Sequence, residues 1–375
     1  MAGLGETPRG NRVHIAFFGL RNAGKSTLVN RFTGQDIAIV SDVAGTTTDP
    51  VSKAMEILPL GPCLITDTAG LDDTGELGEM RVRKSLSVLA TTDVAVWVST
   101  EGDETSPHFI RLRGDCEKRG VPLLVYSRSE SAQSLRERIA GIKVAEVQKG
   151  ILDGLVAEGD HVVCVCPIDE SAPKGRLILP QVQVIRECLD LGAACTVCQP
   201  ARLRDALGRV GDVGTLVITD SQAFGEVRRA LEGTQAKLTS FSILFARQKG
   251  DLARYLAGVA AARSLKDGDR VLVAEGCTHH RQCGDIGTVK IPRALERLSG
   301  AKPVFSFASG TSFGVGPGSG FSLVVHCGGC MLTRREVMAR IAACRDASVP
   351  IVNYGMLLAA ASGMDGIRPD GLVER

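Results

Sequence analysis

The sequence predicts an α/β protein: an N-terminal phosphate-loop domain on a mostly parallel sheet, followed by two smaller α/β domains. Three observations predict it. The 375 residues, at roughly 150 per domain, supply two or three separate cores. Through the first 150 residues short apolar runs alternate with helical patterns, the signature of βαβ units and a parallel sheet. From about Ile151 the texture shifts to smaller α/β units without a phosphate loop, and Lys266-Asp267-Gly268-Asp269 is a polar turn that marks a second boundary. The expected domains are 1–150, 151–265 and 266–375.

In the first domain His14–Phe18 reads as a buried strand and Lys25–Phe32 as a helix stopped by Gly34. Met55–Leu58 is expected to pair with the strand Cys63–Asp67 across the turn Pro59-Leu60-Gly61-Pro62. Val94–Val98 and Leu123–Tyr126 are two more strands, preceded by helices over Glu79–Leu89 and His108–Lys118. In the second, Val162–Cys166, Leu216–Thr219 and Ser240–Phe245 read as strands, with helices at Gln181–Leu191, Glu226–Leu231 and Leu252–Ala262. In the third, the strands are Val271–Ala274, Val304–Phe307 and Leu323–Val325, and the helices Arg334–Ala343 and Met356–Ala361. Ser309–Gly320 is glycine-rich and reads as a flexible loop, and no internal repeat is visible.

Composition excludes several function classes. Lys+Arg 44 against Asp+Glu 42 leaves a net charge of +2, too balanced for bulk electrostatic capture of nucleic acid or anionic lipid. Aromatics at 4% supply no base-stacking platform. No apolar run approaches the roughly 18 residues that cross a bilayer, and Met1–Asn11 has no apolar h-region. A cytoplasmic protein without nucleic-acid or membrane partners is expected, so the twelve cysteines read as thiols or metal ligands rather than disulfides.

Gly19-Leu-Arg-Asn-Ala-Gly24-Lys25-Ser26 matches the phosphate-loop pattern between a predicted strand and a predicted helix. There backbone N–H groups wrap phosphates at a helix N-terminus, Lys25 reaches the terminal phosphates and the Ser26 hydroxyl meets Mg²⁺. Asn22, Ala23 and Thr27 complete the lining. Asp67-Thr-Ala-Gly70 ends a strand, so Asp67 can hold Mg²⁺ through water while the Gly70 amide senses the γ-phosphate. Gly45-Thr-Thr-Thr-Asp49 lies on a loop from which Thr47 can close over Mg²⁺. Lys25, Ser26, Thr47 and Asp67 are the candidate catalytic set.

In this order and spacing the first 100 residues resemble the translational-type small GTPases that include Era and the tRNA-modifying MnmE. The resemblance implies GTP and GDP as ligands and a role for Asn22 in binding K⁺, which would neutralise charge between the phosphates. Leu71 stands where Ras-like proteins place a water-orienting Gln, so slow hydrolysis is expected. Guanine is normally read by Asn-Lys-x-Asp after the strand at Leu123–Tyr126; here Ser127-Arg128-Ser129-Glu130 stands there. Glu130 is the candidate for the guanine edge, and about twenty residues then remain before the next unit, too few for the usual final strand and helix.

A second constellation follows. Cys277-Thr-His279-His280 comes directly after one predicted strand, and His326-Cys327-Gly-Gly-Cys330 directly after another. Two ligand clusters at two strand ends can converge on one site, and thiolate-rich donors suit Zn²⁺ or an iron–sulfur cluster. Zn²⁺ would take Cys277, Cys327, Cys330 and a His; three cysteines with an exchangeable fourth ligand would suit 4Fe–4S. Cys195-x-x-Cys198 has no second pair beside it, and Cys164-x-Cys166 reads as strand packing.

Cys277-x-His279, then 46 residues, then His326-Cys327-x-x-Cys330, behind a GTPase-like domain, resembles the HydF family of iron–iron hydrogenase maturation GTPases. So do Ala172–Gln181, Thr219-Asp-Ser-Gln222, Phe241-Ser-Ile-Leu244, Asp285-Ile-Gly287 with Val289-Lys-Ile-Pro292, and Asn353-Tyr-Gly355. The resemblance implies a GTPase domain, a middle domain that forms a homodimer, and a C-terminal domain with a 4Fe–4S cluster on Cys277, Cys327 and Cys330. His279 or His326 would be the labile fourth ligand, with Cys283 as a competitor. It implies a scaffold or carrier for a transient di-iron subcluster precursor, received from radical-SAM maturases and passed to apo iron–iron hydrogenase. The competing reading is a regulatory or tRNA-modifying GTPase with a structural zinc domain.

Overall fold

The computed structural model describes residues 7, 9–34, 51–100, 102–142, 150–168, 177–221, 223–276, 286–310, 313–329, 332–363, 366–368 and 370–373. The chain forms two compact units, 1–147 and 148–375.

The first unit runs β1 (Val13–Phe18), α1 (Lys25–Thr33), β2 (Val51–Ile57), β3 (Gly61–Asp67), α2 (Glu76–Val88), β4 (Val94–Ser99), α3 (Pro107–Arg119), β5 (Leu123–Ser127) and α4 (Ala132–Ala140). Its sheet has the order β2-β3-β1-β4-β5, parallel except for β2. As expected, β2 forms a hairpin with β3, closing at Ile57 opposite Gly61. The central strands are covered on both faces: Ile15, Phe17, Val94 and Val96 pack into one core, Ala16, Phe18, Ala95 and Trp97 into the other. That is why they read as unbroken apolar runs rather than alternating ones. Gly34 ends α1 in the left-handed region at φ 69°, where glycine carries no Cβ penalty.

One expectation is corrected here. The segment after β5 does hold a helix, α4, started by Ser131, whose Oγ accepts from the Ser134 N–H, and anchored by buried Leu135 and Ile139. These two residues pack into the core shared with Leu28, Val29 and Phe32 of α1, and no further strand follows β5 among the described residues of this unit.

The second unit continues β6 (His161–Val165), α5 (Leu179–Asp190), β7 (Ala194–Cys198), α6 (Leu203–Val210), β8 (Leu216–Thr219), α7 (Phe224–Ala230), β9 (Lys237–Ser240), α8 (Phe241–Lys249) and α9 (Leu252–Arg263). Then come β10 (Arg270–Glu275), α10 (Ile291–Ser299), β11 (Val304–Ser309), β12 (Leu323–His326), α11 (Arg334–Asp346), β13 (Ile351–Asn353) and α12 (Tyr354–Ala361). Two all-parallel four-stranded sheets result, β7-β6-β8-β9 and β11-β10-β12-β13. One core joins them, with Val163 and Val217 from the first sheet and Val271 and Val325 from the second.

Both sheets share one strand order, second-first-third-fourth, so the topology repeats where the sequence shows no repeat. A second correction concerns Ser240–Phe245, expected as a strand. The strand ends at Ser240, whose Oγ accepts from the Ile243 N–H and starts α8. Phe241, Ile243, Leu244, Phe245 and Ala246 are all buried, and a helix buried on every side has the same apolar run as a buried strand. Among the described residues no helix is long and apolar enough to cross a membrane.

Candidate functional site: a phosphate loop and a cysteine-bearing strand end

The loop between β1 and α1 is shaped by close approaches. A Cβ on Gly19 would lie 2.9 Å from the Val98 carbonyl oxygen, and one on Gly70 would lie 2.8 Å from the Arg21 nitrogen. Only glycine lets the end of β3 run against the phosphate loop. Gly24 opens α1 at φ 88° with no side-chain cap, so the first N–H groups of the helix face a ligand position. Asn22 holds φ 58°, a left-handed conformation Asn tolerates better than most residues. Ala23 is buried in the core, its N–H donating to the Leu20 carbonyl at 3.3 Å, and Thr27 is exposed.

Lys25 is buried, and its Nζ donates to the carbonyls of Leu20 at 2.7 Å and Gly19 at 3.3 Å. Burial lowers its pKa against the pull of Asp67, Asp72 and Asp73. Ser26 Oγ donates to Asp67 Oδ2 at 2.6 Å. The other oxygen, Asp67 Oδ1, is buried without a hydrogen-bond partner among the described residues. A hydroxyl and one carboxylate with an unspent oxygen are hard-oxygen donors of the kind Mg²⁺ takes alongside nucleotide phosphates. These residues fit Mg²⁺. Leu71 is 3% exposed with its side chain in the core, so it cannot orient water. Thr47 lies outside the described residues.

Burial raises the Asp67 pKa, while the Ser26 hydrogen bond and Lys25 oppose the shift. A raised carboxyl pKa disfavours the folded state once pH rises above the unfolded value. Asp67→Asn is therefore expected to raise the melting temperature of the metal-free protein at pH 7, with the difference shrinking as pH falls toward the carboxylate range. Melts in chelator across that range check it; an unchanged or lower melting temperature at pH 7 would remove the desolvation account.

Glu130 sits at the turn after β5 with both carboxylate oxygens engaged: Arg138 Nη1 and Ser134 Oγ each donate at 2.8 Å. A base edge would have to share the carboxylate with Arg138 and Ser134. Arg128, a residue the sequence reading passed over, extends back to the phosphate loop, its Nη2 donating to the Asn22 carbonyl at 3.1 Å. A long cation inside the degenerate tetrapeptide was the available signal.

In the second unit, the register Ala274↔His326 sets the ends of β10 and β12 side by side. The Gly276 N–H donates to Cys327 Sγ at 3.1 Å and the Cys327 N–H to the Ala274 carbonyl at 2.9 Å. This is the point where strand order reverses, the usual ligand position of an open parallel sheet. A thiolate that already accepts a backbone N–H fits an iron–sulfur or zinc donor set. Cys277, His279, Cys283 and Cys330 lie outside the described residues; among those described, no three His, Cys, Asp or Glu side chains are placed to hold a metal ion together.

His326 is buried, with Nδ1 2.7 Å from the Cys327 carbonyl and Nε2 3.0 Å from Arg340 Nη1. Arginine has only hydrogens to give, so Nε2 accepts and Nδ1–H donates. Burial and the Arg340 charge hold the His326 pKa down at about 4. Both ring nitrogens are thus occupied, and His326 meets a metal only if Arg340 gives way. Arg340 also donates to the Gly310 carbonyl at 2.6 Å, and Lys249 Nζ to the carbonyls of Leu332 at 3.1 Å and Gly329 at 3.4 Å. The sequence reading missed both cations. Their signal was a basic residue on an otherwise apolar helix face, beside Val337, Ile341 and Cys344 on α11.

Several stretches of the chain are similar to known proteins. A model described as 50S ribosome-binding GTPase matches residues 14–127. The tRNA modification GTPase MnmE of Endomicrobium trichonymphae is 30% identical over 174 residues, 42% of this chain and 36% of that protein. MnmE of Rhodopseudomonas palustris is 41% identical over 106 residues, 28% of this chain and 24% of that protein. The chain thus spans about a third or less of the length of these curated relatives. A structure of Aquifex aeolicus Era with GDP and AlF4- is 14% identical, covering 80% of this chain and 94% of that one at a TM-score of 0.27, too low to bear on the fold. Beyond the GTPase domain, the hydrogen maturase F dimerization domain matches residues 151–250 and the hydrogen maturase F tetramerization domain residues 234–367. With both of these domains behind a P-loop GTPase domain, the chain belongs to the hydrogen maturase F (HydF) family.

Proposed function

We propose that the chain is a slow GTPase of hydrogenase maturation whose C-terminal part holds a 4Fe–4S cluster on Cys277, Cys327 and Cys330. On it the protein carries the di-iron precursor from radical-SAM maturases to apo iron–iron hydrogenase. The observation that supports this best is the pairing of β10 with β12, which sets Gly276, the residue before Cys277, against Cys327 Sγ. Two cysteine-bearing segments far apart in sequence start from one point. In the GTPase domain Ser26 and Asp67 would hold Mg²⁺, which neutralises phosphate charge, and Lys25 would leave its loop carbonyls for the terminal phosphates. Thr47 completes that set, and the middle domain pairs two copies.

Anaerobic reconstitution with iron and sulfide tests the reading. A brown protein with a reduced-state low-temperature EPR signal is expected; a colourless protein with one Zn²⁺ per chain would replace it with the structural-zinc GTPase.

Two properties of turnover follow. Hydrolysis is expected to be faster in K⁺ than in Na⁺ through Asn22, and equal rates at matched ionic strength would remove Asn22 from the mechanism. GTP is expected to bind more tightly than ATP, by a margin narrowed because Ser127 lacks the amide of Asn and Glu130 is paired with Arg138. Competition binding measures it, and tighter ATP binding would overturn the guanine assignment.

A further inference from the structure

The middle domain carries a thiol group that neither the nucleotide site nor the cluster site uses. Side chains alternate along a strand, so Cys195 and Cys198 of the C-x-x-C, three residues apart on β7, point to opposite faces. Cys195 packs with Val162, Cys164 and Cys188, whereas Cys198 packs against the other core. The motif does not close on itself.

The neighbour of Cys195 lies across the sheet instead. Pairing of β6 with β7 sets Val162 opposite Cys195 and Cys164 opposite Val197, so Cys164 and Cys195 share a face on adjacent strands. Their sulfurs are 3.7 Å apart. Cys164 and Cys188 are fully buried, while Cys195 is partly exposed at the sheet edge. Hydrogen bonds shared with Cys164 and Cys188, with His161 adding its charge, hold the Cys195 thiol below the usual thiol range. The same contacts and burial push Cys164 and Cys188 up. One reachable sulfur in contact with a buried one is the arrangement of an attacking and a resolving thiol.

We propose that Cys195 and Cys164 form a redox-active dithiol that exchanges with low-molecular-weight disulfides, Cys195 attacking and Cys164 resolving. In the first step the Cys195 sulfur displaces one thiolate from the disulfide RSSR, which takes a proton from water and leaves Cys195 as a mixed disulfide. In the second, Cys164 loses its proton to water and its sulfur attacks Cys195 Sγ, releasing the other thiolate, which is protonated in turn. The sum converts RSSR and two protein thiols into a protein disulfide and two RSH: the protein loses two electrons, the reagent gains them, and a small dithiol reverses the change. The sulfurs close from 3.7 Å to a bond of about 2.05 Å. Cys164 is assigned the resolving role rather than Cys188 because it stands on the adjacent strand in register, its sulfur 3.7 Å from that of Cys195.

The test treats the full-length protein anaerobically with glutathione disulfide, blocks remaining thiols and maps the peptides by tandem mass spectrometry. A Cys164–Cys195 link is expected in the wild type. Cys164→Ser is expected to stop with glutathione on Cys195, and Cys195→Ser to leave Cys164 unmodified. In the untreated wild type, iodoacetamide at pH 6 is expected to label Cys195 at least about tenfold faster than Cys198, its partly exposed neighbour on the same strand. A Cys188–Cys195 link in place of the expected one, or no link at all, would overturn the proposal. So would labelling of Cys195 no faster than of Cys198, a readout that needs no variant to fold.

Discussion

GTP hydrolysis is expected to fall at least about a hundredfold in Ser26→Ala and in Lys25→Met, the loss that follows removal of a single preorganised charge-stabilising group. Ser26 Oγ donates to Asp67 Oδ2 and Lys25 Nζ to two loop carbonyls. The nucleotide and Mg²⁺ must take both groups from these resting partners. Without the hydroxyl, Asp67 keeps its buried charge with less to hold a metal against. Methionine keeps the stem that fills the space beneath the loop, so the expected defect is in turnover rather than folding. Phosphate release at saturating nucleotide and Mg²⁺, beside a thermal melt, separates the two. Wild-type turnover in either variant would sink the assignment of this loop.

Replacing Cys277, Cys327 or Cys330 with Ser is expected to cost most of the bound iron after anaerobic reconstitution, because each removes a thiolate that the cluster cannot recover from water. The two histidines are expected to part company. His279→Ala should keep the iron and change the EPR signal, as an exchangeable fourth ligand would. His326→Ala strips a buried Arg340 of its acceptor and frees the Cys327 carbonyl. An unsatisfied buried polar group costs about 1–3 kcal/mol. Its signature should be a lower melting temperature and a reduced iron yield. Iron analysis, melting and EPR on each variant decide it. A fully loaded His326→Ala with an altered EPR signal and an unchanged melting temperature would make His326 the ligand after all.

Much of this molecule is written in local pattern. The phosphate loop needs its glycines, lysine and serine within eight consecutive positions between a strand and a helix, and the structure has them there. The apolar runs of β1, β4 and β12 mark strands because a parallel sheet covered on both faces leaves no polar side to show. His326 and Cys327 stand where β12 ends, at a boundary the apolar run before them already marks. Each of these depends on residues a few positions apart, which a linear chain displays directly.

What needed the tertiary structure depends on register and burial. Whether Phe241–Ala246 winds or extends was decided by packing on every side, since its apolar run is the same for either. The repeated strand order of the two sheets has no counterpart in the residues, because many sequences satisfy one topology. Cys195 finds Cys164 rather than Cys198 because β7 lies in register beside β6. His326 is held by Arg340, and the segment around Cys327 by Lys249, from helices distant in sequence. The sequence by itself named the candidate groups, because a phosphate loop and a cysteine-rich motif are defined by residue type and short spacing. Only the folded chain decided which of those groups are free to act, since a group's partners are set by what packs against it and not by what precedes it.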